Sequence, residues 1–383
     1  MRRRAFVRGG CAACAVLSAW RPATAQDWTP PPRFERPGLA TDEGGLWELM
    51  DREETTLRRS PLRIRDAPLQ SYLQDMACAL AGAHCPDVRV HPMRNAQFNA
   101  SMAPNGMLLI WSGLLLRMDN EAQLATVVAH ELGHYMQRHS LARLRDAKSR
   151  SAFALVMGSL GVIGLVPQLV ALVGAYSFSR EQETEADAIG VSLMAAAGFD
   201  PREAPKVWGN LIEELSATPG GKPEERSPMF ATHPASAERF AMLRERAGDR
   251  AGEVRGAEYR ARLGPLRRDW LDDELNRGRP EESLVLLGRL LVAEPGNALL
   301  LYFRGQTRLR RGAEGDAAAA ETDLLAAVVA GSEPPETHRA LGQLRLQQGN
   351  AAAARESFER YLGLSPQAPD APLVRQQLEE TRP

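Results

Sequence analysis

The sequence predicts a mainly helical α+β fold, in which a first domain with a small β-sheet is followed by an α-helical repeat domain. Three observations carry this. Apolar residues recur at helical spacing through Leu46–Arg58, Ala67–Ala81, Asp119–Arg143 and Arg180–Ala197. Short apolar segments flank the turn signal Pro104-Asn105-Gly106. From residue 264 onward the chain becomes rich in Ala, Leu, Arg and Glu and turns repetitive. A length of 383 residues suits two domains, and 44% apolar with 25% charged residues is ordinary for a globular chain. The net charge of -1 gives no field that would gather nucleic acid.

Taken in order, Met1-Arg2-Arg3-Arg4-Ala5-Phe6-Val7-Arg8 precedes a weakly apolar run, and Ala23-Thr24-Ala25 offers a small-x-small cleavage site. This predicts a secretory signal over residues 1–25, of the twin-arginine kind that exports folded proteins. Export leaves Cys78 and Cys85, an even pair expected to form a disulfide in an oxidising compartment. Four prolines between Asp27 and Gly38 predict an extended lead-in. The stretch Ala67–Ala81 carries Leu69, Tyr72, Leu73, Met76 and Leu80 on one face.

Strands are expected to begin at Val88 and to run through 96–101 and 107–111, the last buried on both faces because Met107–Trp111 is almost wholly apolar. Asp119 or Asn120 can cap the helix that continues to Arg143. The charge-free stretch Ser151–Ser179 is long enough to span a bilayer. Pro167-Gln168 divides it, so a helical hairpin covering the site and touching the membrane peripherally is favoured over a span. A second helix, from Arg180, ends at Gly198. A Pro/Gly-rich loop fills 216–229, and Thr232-His233-Pro234 opens a helix to about Arg246. In the repeats, Gly342, Gly349, Ala354, Phe358 and Pro366 match a tetratricopeptide unit of about 34 residues. Gly305 and Gly312 echo its first part; Gly278, Leu287 and Pro295 echo its second. The middle unit is too long around Ala313–Ala319. The expected division is 26–255 for the first domain and 256–383 for the repeats.

His130 and His134 sit one helical turn apart, so both imidazoles can reach one ion. Glu131, one position round, can take a proton from an attacking water that a zinc ion acidifies. A third protein ligand is needed, and Glu181, Glu183 and Glu185 compete. The apolar stripe Ala186, Ile189, Gly190, Leu193, Met194 and Ala197, extended backward, lands on Glu183. A carboxylate on a buried stripe is costly unless a cation neutralises it. Asp187, a turn later, can accept a hydrogen bond from a ligating imidazole. His139 lies on a different face from the centre of the pair and reads as structural or solvent-exposed.

These residues resemble the two metal motifs of the gluzincin peptidases related to HtpX and to prenyl-protein CAAX proteases. The motifs are His130-Glu131-Leu132-Gly133-His134 and Arg180-Glu181-Gln182-Glu183-Thr184-Glu185-Ala186-Asp187. The stretch Asn99–Gly106 with Ser112-Gly113-Leu114 resembles the strand-turn-strand before that family's zinc helix, and Thr232-His233-Pro234 with Arg239 its later His-Pro element. The likeness is greatest to BepA-type periplasmic proteases, which join such a domain to tetratricopeptide repeats. It implies a zincin-type metalloprotease fold, one zinc per chain on His130, His134 and Glu183, and Glu131 as general base. It further implies His233 as a candidate fourth ligand that holds the enzyme off, with a helix-capping role as the alternative. Arg239 is a weak candidate for stabilising the transition state. Ser101-Met102 departs from the family's Phe or Pro, which alters the strand edge where an extended substrate would add. The implied function is an exported zinc endopeptidase of the periplasm that degrades misfolded or stalled envelope and outer-membrane proteins. Its repeats would recruit substrate or the outer-membrane assembly machinery. The alternative is a chaperone or assembly factor whose peptidase is secondary.

Overall fold

The structure, a computed structural model, describes residues 28–149, 177–220, 226–234 and 236–382. The expected signal at 1–25, and all but the last three residues of Ser151–Ser179, lie outside these. Among the described residues no helix is long and apolar enough to cross a membrane.

Residues 28–38 run extended into α1 (Asp42–Arg59), which Thr41 caps by accepting from the Gly44 amide. Asp66 caps α2 (Ala67–Ala81) in the same way through Leu69. A 3-10 turn, Gly82–Asp87, follows. The disulfide Cys78–Cys85 ties it to the end of α2, with Cα atoms 4.4 Å apart.

Three strands, β1 (Arg89–Met93), β2 (Ala100–Met102) and β3 (Met107–Trp111), form a sheet in the order β1-β3-β2. β1 pairs with β3 in parallel, Val90 opposite Leu108; β2 pairs antiparallel, Ser101 opposite Leu109. The pairing of 96–101 with 107–111 is thus shorter and later than expected, starting at Ala100. Every residue of β3 is buried. Leu108 and Ile110 join the main core, while Met107, Leu109 and Trp111 pack with Met50 and Leu57 of α1. The period-two alternation of a strand serves two apolar surfaces at once, which is why the run reads as continuously apolar.

Helices α3 (Ser112–Arg117) and α4 (Glu121–Met136) come next. Asn120 caps α4 by accepting from Gln123, and all sixteen residues of α4 are buried. The expected single helix to Arg143 is broken. Arg138 adopts φ 55°, in the left-handed region, and α5 (His139–Ser149) starts afresh in a new direction. α6 (Arg180–Ala196) begins at a capping box made by Ser179 and Gln182. It packs along α4 with backbones close. A Cβ on Gly133 would lie 2.9 Å from the Ala186 carbonyl, and one on Gly190 would lie 3.2 Å from the His130 nitrogen. Gly133 therefore serves the close approach of the two helices. α7 (Ala204–Ser216), the short α8 (Pro228–Thr232) and α9 (Ala237–Ala247) complete this part.

The remaining helices are α10 (Gly256–Asn276), α11 (Pro280–Ala293), α12 (Ala298–Arg311), α13 (Asp316–Ala330), α14 (Glu336–Gln347), α15 (Ala351–Leu364) and α16 (Ala371–Glu380). They pack as successive antiparallel pairs, α12 on α13 and α14 on α15. Small residues face large ones at the crossings: Gly305 meets Leu324 and Gly342 meets the Phe358 ring. Of the surplus residues near 313–319, Ala313–Gly315 form the turn into α13, with Gly315 at φ 80°, and the rest are its first turn.

One buried carboxylate beside the sheet makes a pH prediction. Glu54 of α1 accepts from Arg89 at 2.6–3.1 Å, from Arg58 at 2.7 Å, and lies 2.9 Å from His91 Nε2. Burial alone would raise its pKa. The hydrogen bonds from His91, Arg89 and Arg58 outweigh burial and hold it well below the usual carboxylate range. A depressed pKa stabilises the fold above the unfolded-chain value of about 4.3 and loses that contribution as pH falls below it. Glu54→Gln is expected to cost about 2 kcal/mol at neutral pH, with the gap to wild type closing below about pH 4. Unfolding midpoints across pH check this; a gap of constant size down to low pH contradicts it.

Candidate metal centre

The capped register of α4 puts His130 and His134 on the side facing α6. The capping box sets Glu183 in the first turn of α6 and Asp187 one turn on. The chain beyond α8 then brings in His233, whose amide donates to the Met229 carbonyl at 2.7 Å. One ligand atom from each of His130, His134, Glu183 and His233 falls within 4.8 Å of all the others, and all four residues are buried. His130 Nε2 is 3.1 Å from His134 Nε2 and 3.1 Å from His233 Nδ1. Glu183 Oε1 is 3.3 Å from His134 Nε2 and 2.9 Å from His233 Nδ1.

The surroundings fix which nitrogens face inward. His130 Nδ1 lies 2.8 Å from Asp187 Oδ1, and a carboxylate accepts, so the ring donates there and turns its Nε2 lone pair to the centre. Burial pushes the His134 pKa well below its ordinary value, keeping that ring neutral. His130 Nε2 and His134 Nε2, 3.1 Å apart, both face the same point, where one cation could be held by both rings. Donors around a tetrahedral zinc at about 2.0–2.2 Å stand about 3.3–3.5 Å from each other, close to the separations here. Three imidazoles and one carboxylate suit zinc in donor type as well.

Glu131 lies beside this cluster rather than in it. Its Oε2 accepts from the Met102 amide of β2 at 3.0 Å. Among the described residues its Oε1 has no hydrogen-bond partner, and it sits 3.5 Å from His233 Nε2. Burial raises its pKa, the direction that suits a base able to hold and return a proton near neutral pH.

Arg239 lies against the two carboxylates of α6. Its guanidinium donates to both oxygens of Asp187 at 2.7 and 2.9 Å, to the Pro234 carbonyl, and pairs with Glu183 Oε2 at 2.6 Å. It is buried and pairs with both carboxylates at once. For Asp187, burial would raise the pKa, but Arg239 and His130 together lower it. Glu181 stands exposed at the helix start, and Glu185 turns away from the four-residue cluster.

Sequence reasoning missed three neighbours. Phe178 stacks on the His134 ring with centroids 3.8 Å apart. The Met102 amide holds Glu131, a backbone contact that no side-chain pattern announces. His139 is 5% exposed and touches His134, because the turn at Arg138 folds it back; periodicity along one straight helix puts it elsewhere.

Known proteins match the same parts of the chain. Residues 63–247 match the profile of peptidase family M48, and 268–328 and 312–369 match the tetratricopeptide repeat. The chain is 31% identical over 294 residues to the Beta-barrel assembly-enhancing protease of Escherichia coli strain K12, covering 64% of this chain and 59% of the relative. It is 28% identical over 364 residues to the protein of that name from Yersinia pestis, covering 82% and 73%. It is 35% identical over 162 residues to the Mitochondrial metalloendopeptidase OMA1 of Arabidopsis thaliana, covering 40% and 33%. The chain thus spans less than two thirds of the length of the Escherichia coli relative.

Proposed function

From a chain that carries a peptidase family M48 domain followed by tetratricopeptide repeats, we propose an exported, periplasmic zinc-dependent endopeptidase. Its substrates are misfolded or stalled envelope proteins, outer-membrane proteins among them. The peptidase domain occupies 26–255, and the repeats over 256–383 recruit substrate or the outer-membrane assembly machinery. The convergence of His130, His134, Glu183 and His233 beside Glu131 carries the reading; the two relatives named for β-barrel assembly support the substrate class.

Bound zinc supplies a Lewis acid that polarises a peptide carbonyl and makes a water acidic enough to attack at neutral pH. His130, His134 and Glu183 hold it. Asp187 fixes the His130 ring, and Arg239 braces Asp187 and Glu183 as a positioning residue. Glu131 takes the proton of the attacking water on its Oε1 and delivers it to the leaving amine.

His233 gates this site. His233 Nδ1 stands 3.1 Å from His130 Nε2 and 2.9 Å from Glu183 Oε1, so the ring takes up space that a substrate would need beside a bound metal. The ring must withdraw before turnover. His233→Ala is expected to cleave an unfolded protein faster, by about tenfold if the open form is a tenth of the population. Unchanged or slower turnover contradicts the gate. The closed arrangement also favours the second reading, a chaperone or assembly factor with a secondary peptidase. Expressing Glu131→Gln in a strain lacking the protein separates the two. Lost rescue identifies proteolysis as the function; retained rescue identifies binding.

A further inference from the structure

His139 and Glu185 are left without a task by the site described so far, yet they are built against it. Arg138, at φ 55°, turns the chain so that His139 lies against His134. Such a backbone conformation costs a non-glycine residue free energy and persists where the surroundings demand it. The Arg138 side chain is itself held, over the Phe34 ring at 4.3 Å and on Glu43 at 3.1 Å. His139 Nδ1 stands 2.9 Å from His134 Nδ1, and His139 Nε2 stands 3.3 Å from Glu185 Oε2. The other Glu185 oxygen accepts from the Gln137 side-chain amide.

This chain of contacts runs in one direction only. The Glu185 carboxylate accepts, so His139 donates from Nε2 and is left with a lone pair on Nδ1. His134 must then donate its Nδ1 proton to His139, which leaves the His134 Nε2 lone pair facing the ligand cluster. His130 is set by a carboxylate directly, through Asp187; His134 is set by one through a second imidazole.

We propose that His139 and Glu185 are positioning residues that fix the tautomer and ring orientation of His134 as a metal ligand. The inference rests on the metal-centre reading above. Its test is zinc affinity, measured on the full chain by competition with a chromophoric chelator. His139→Phe fills the same space without an acceptor and is expected to weaken zinc binding about 10–100-fold. His139→Gln, whose amide oxygen can accept from His134, is expected to restore most of that loss. It also shows that the effect is not one of folding. Glu185→Ala is expected to weaken binding in the wild-type background and to add nothing in the His139→Phe background, because it acts through His139. Wild-type affinity in His139→Phe, equal losses in the Phe and Gln variants, or a Glu185 effect that persists without His139 would each overturn the proposal while leaving the metal centre intact. A wild-type chain that binds no zinc overturns both.

Discussion

Glu131→Gln is expected to lower kcat/KM on an unfolded protein substrate by about 10²–10⁴-fold while leaving zinc content and fold unchanged. The substitution is nearly isosteric. A glutamine oxygen can still accept from the Met102 amide, so β2 keeps its contact with α4. What disappears is the carboxylate oxygen that, among the described residues, has no hydrogen-bond partner and can take a proton. Removing a buried negative charge also relieves a desolvation cost, so the variant should unfold no more readily than wild type. Loss of activity accompanied by loss of zinc would assign Glu131 to holding the ion. Retained activity would remove it from the mechanism.

Arg117→Met is expected to destabilise the protein by about 3–5 kcal/mol. Arg117 ends α3 and is 2% exposed. It donates to Glu214 of α7 and Glu274 of α10, both at 2.8 Å, and to the carbonyls of Ala96 and Gly113. Burial opposes the charge on Arg117, but the two glutamates hold its pKa above the ordinary value. Methionine would leave two buried carboxylates facing each other, with Arg277 as the remaining nearby cation, 2.9 Å from Glu274 and 3.6 Å from Glu214. The cost comes from the stranded charges rather than from the worth of the pairs. Arg117→Met combined with Glu214→Gln and Glu274→Gln should therefore recover most of the stability. Urea unfolding of the single and triple variants checks this; equal losses in both would contradict it. The same network joins the first domain to α10, so the single variant should also loosen the repeats from the peptidase domain.

The sequence carried the metal cluster because its logic is local. His130 and His134 share a helix face by spacing, and Glu183 lies on the apolar stripe of its own helix, where an acid needs a reason. The helices α2, α4 and α6 were legible for the same cause: caps and periodicity sit within each segment. The contacts that were not legible depend on the chain leaving its local period. Nothing in Gln137-Arg138-His139 announces a left-handed residue, so His139 read as structural or solvent-exposed, without its contact to His134. The role of Gly133 depends on a neighbour fifty residues away, and Arg239 could be matched to a motif but not aimed. Its orientation toward Asp187 and Glu183 is a fact of tertiary packing. The double burial of β3 was visible as an apolar run, yet which surface each side chain meets was not.

The central claim is that three imidazoles and one carboxylate of this chain share one zinc in the resting state. Zinc-edge X-ray absorption on the purified full chain tests it directly, with wild type and His233→Ala measured side by side. The account predicts one zinc per chain, a four-coordinate first shell with three imidazoles in wild type, and two imidazoles with one further oxygen in His233→Ala. Identical shells in the two proteins, or a chain purified without stoichiometric zinc that also fails to take it up, would contradict it.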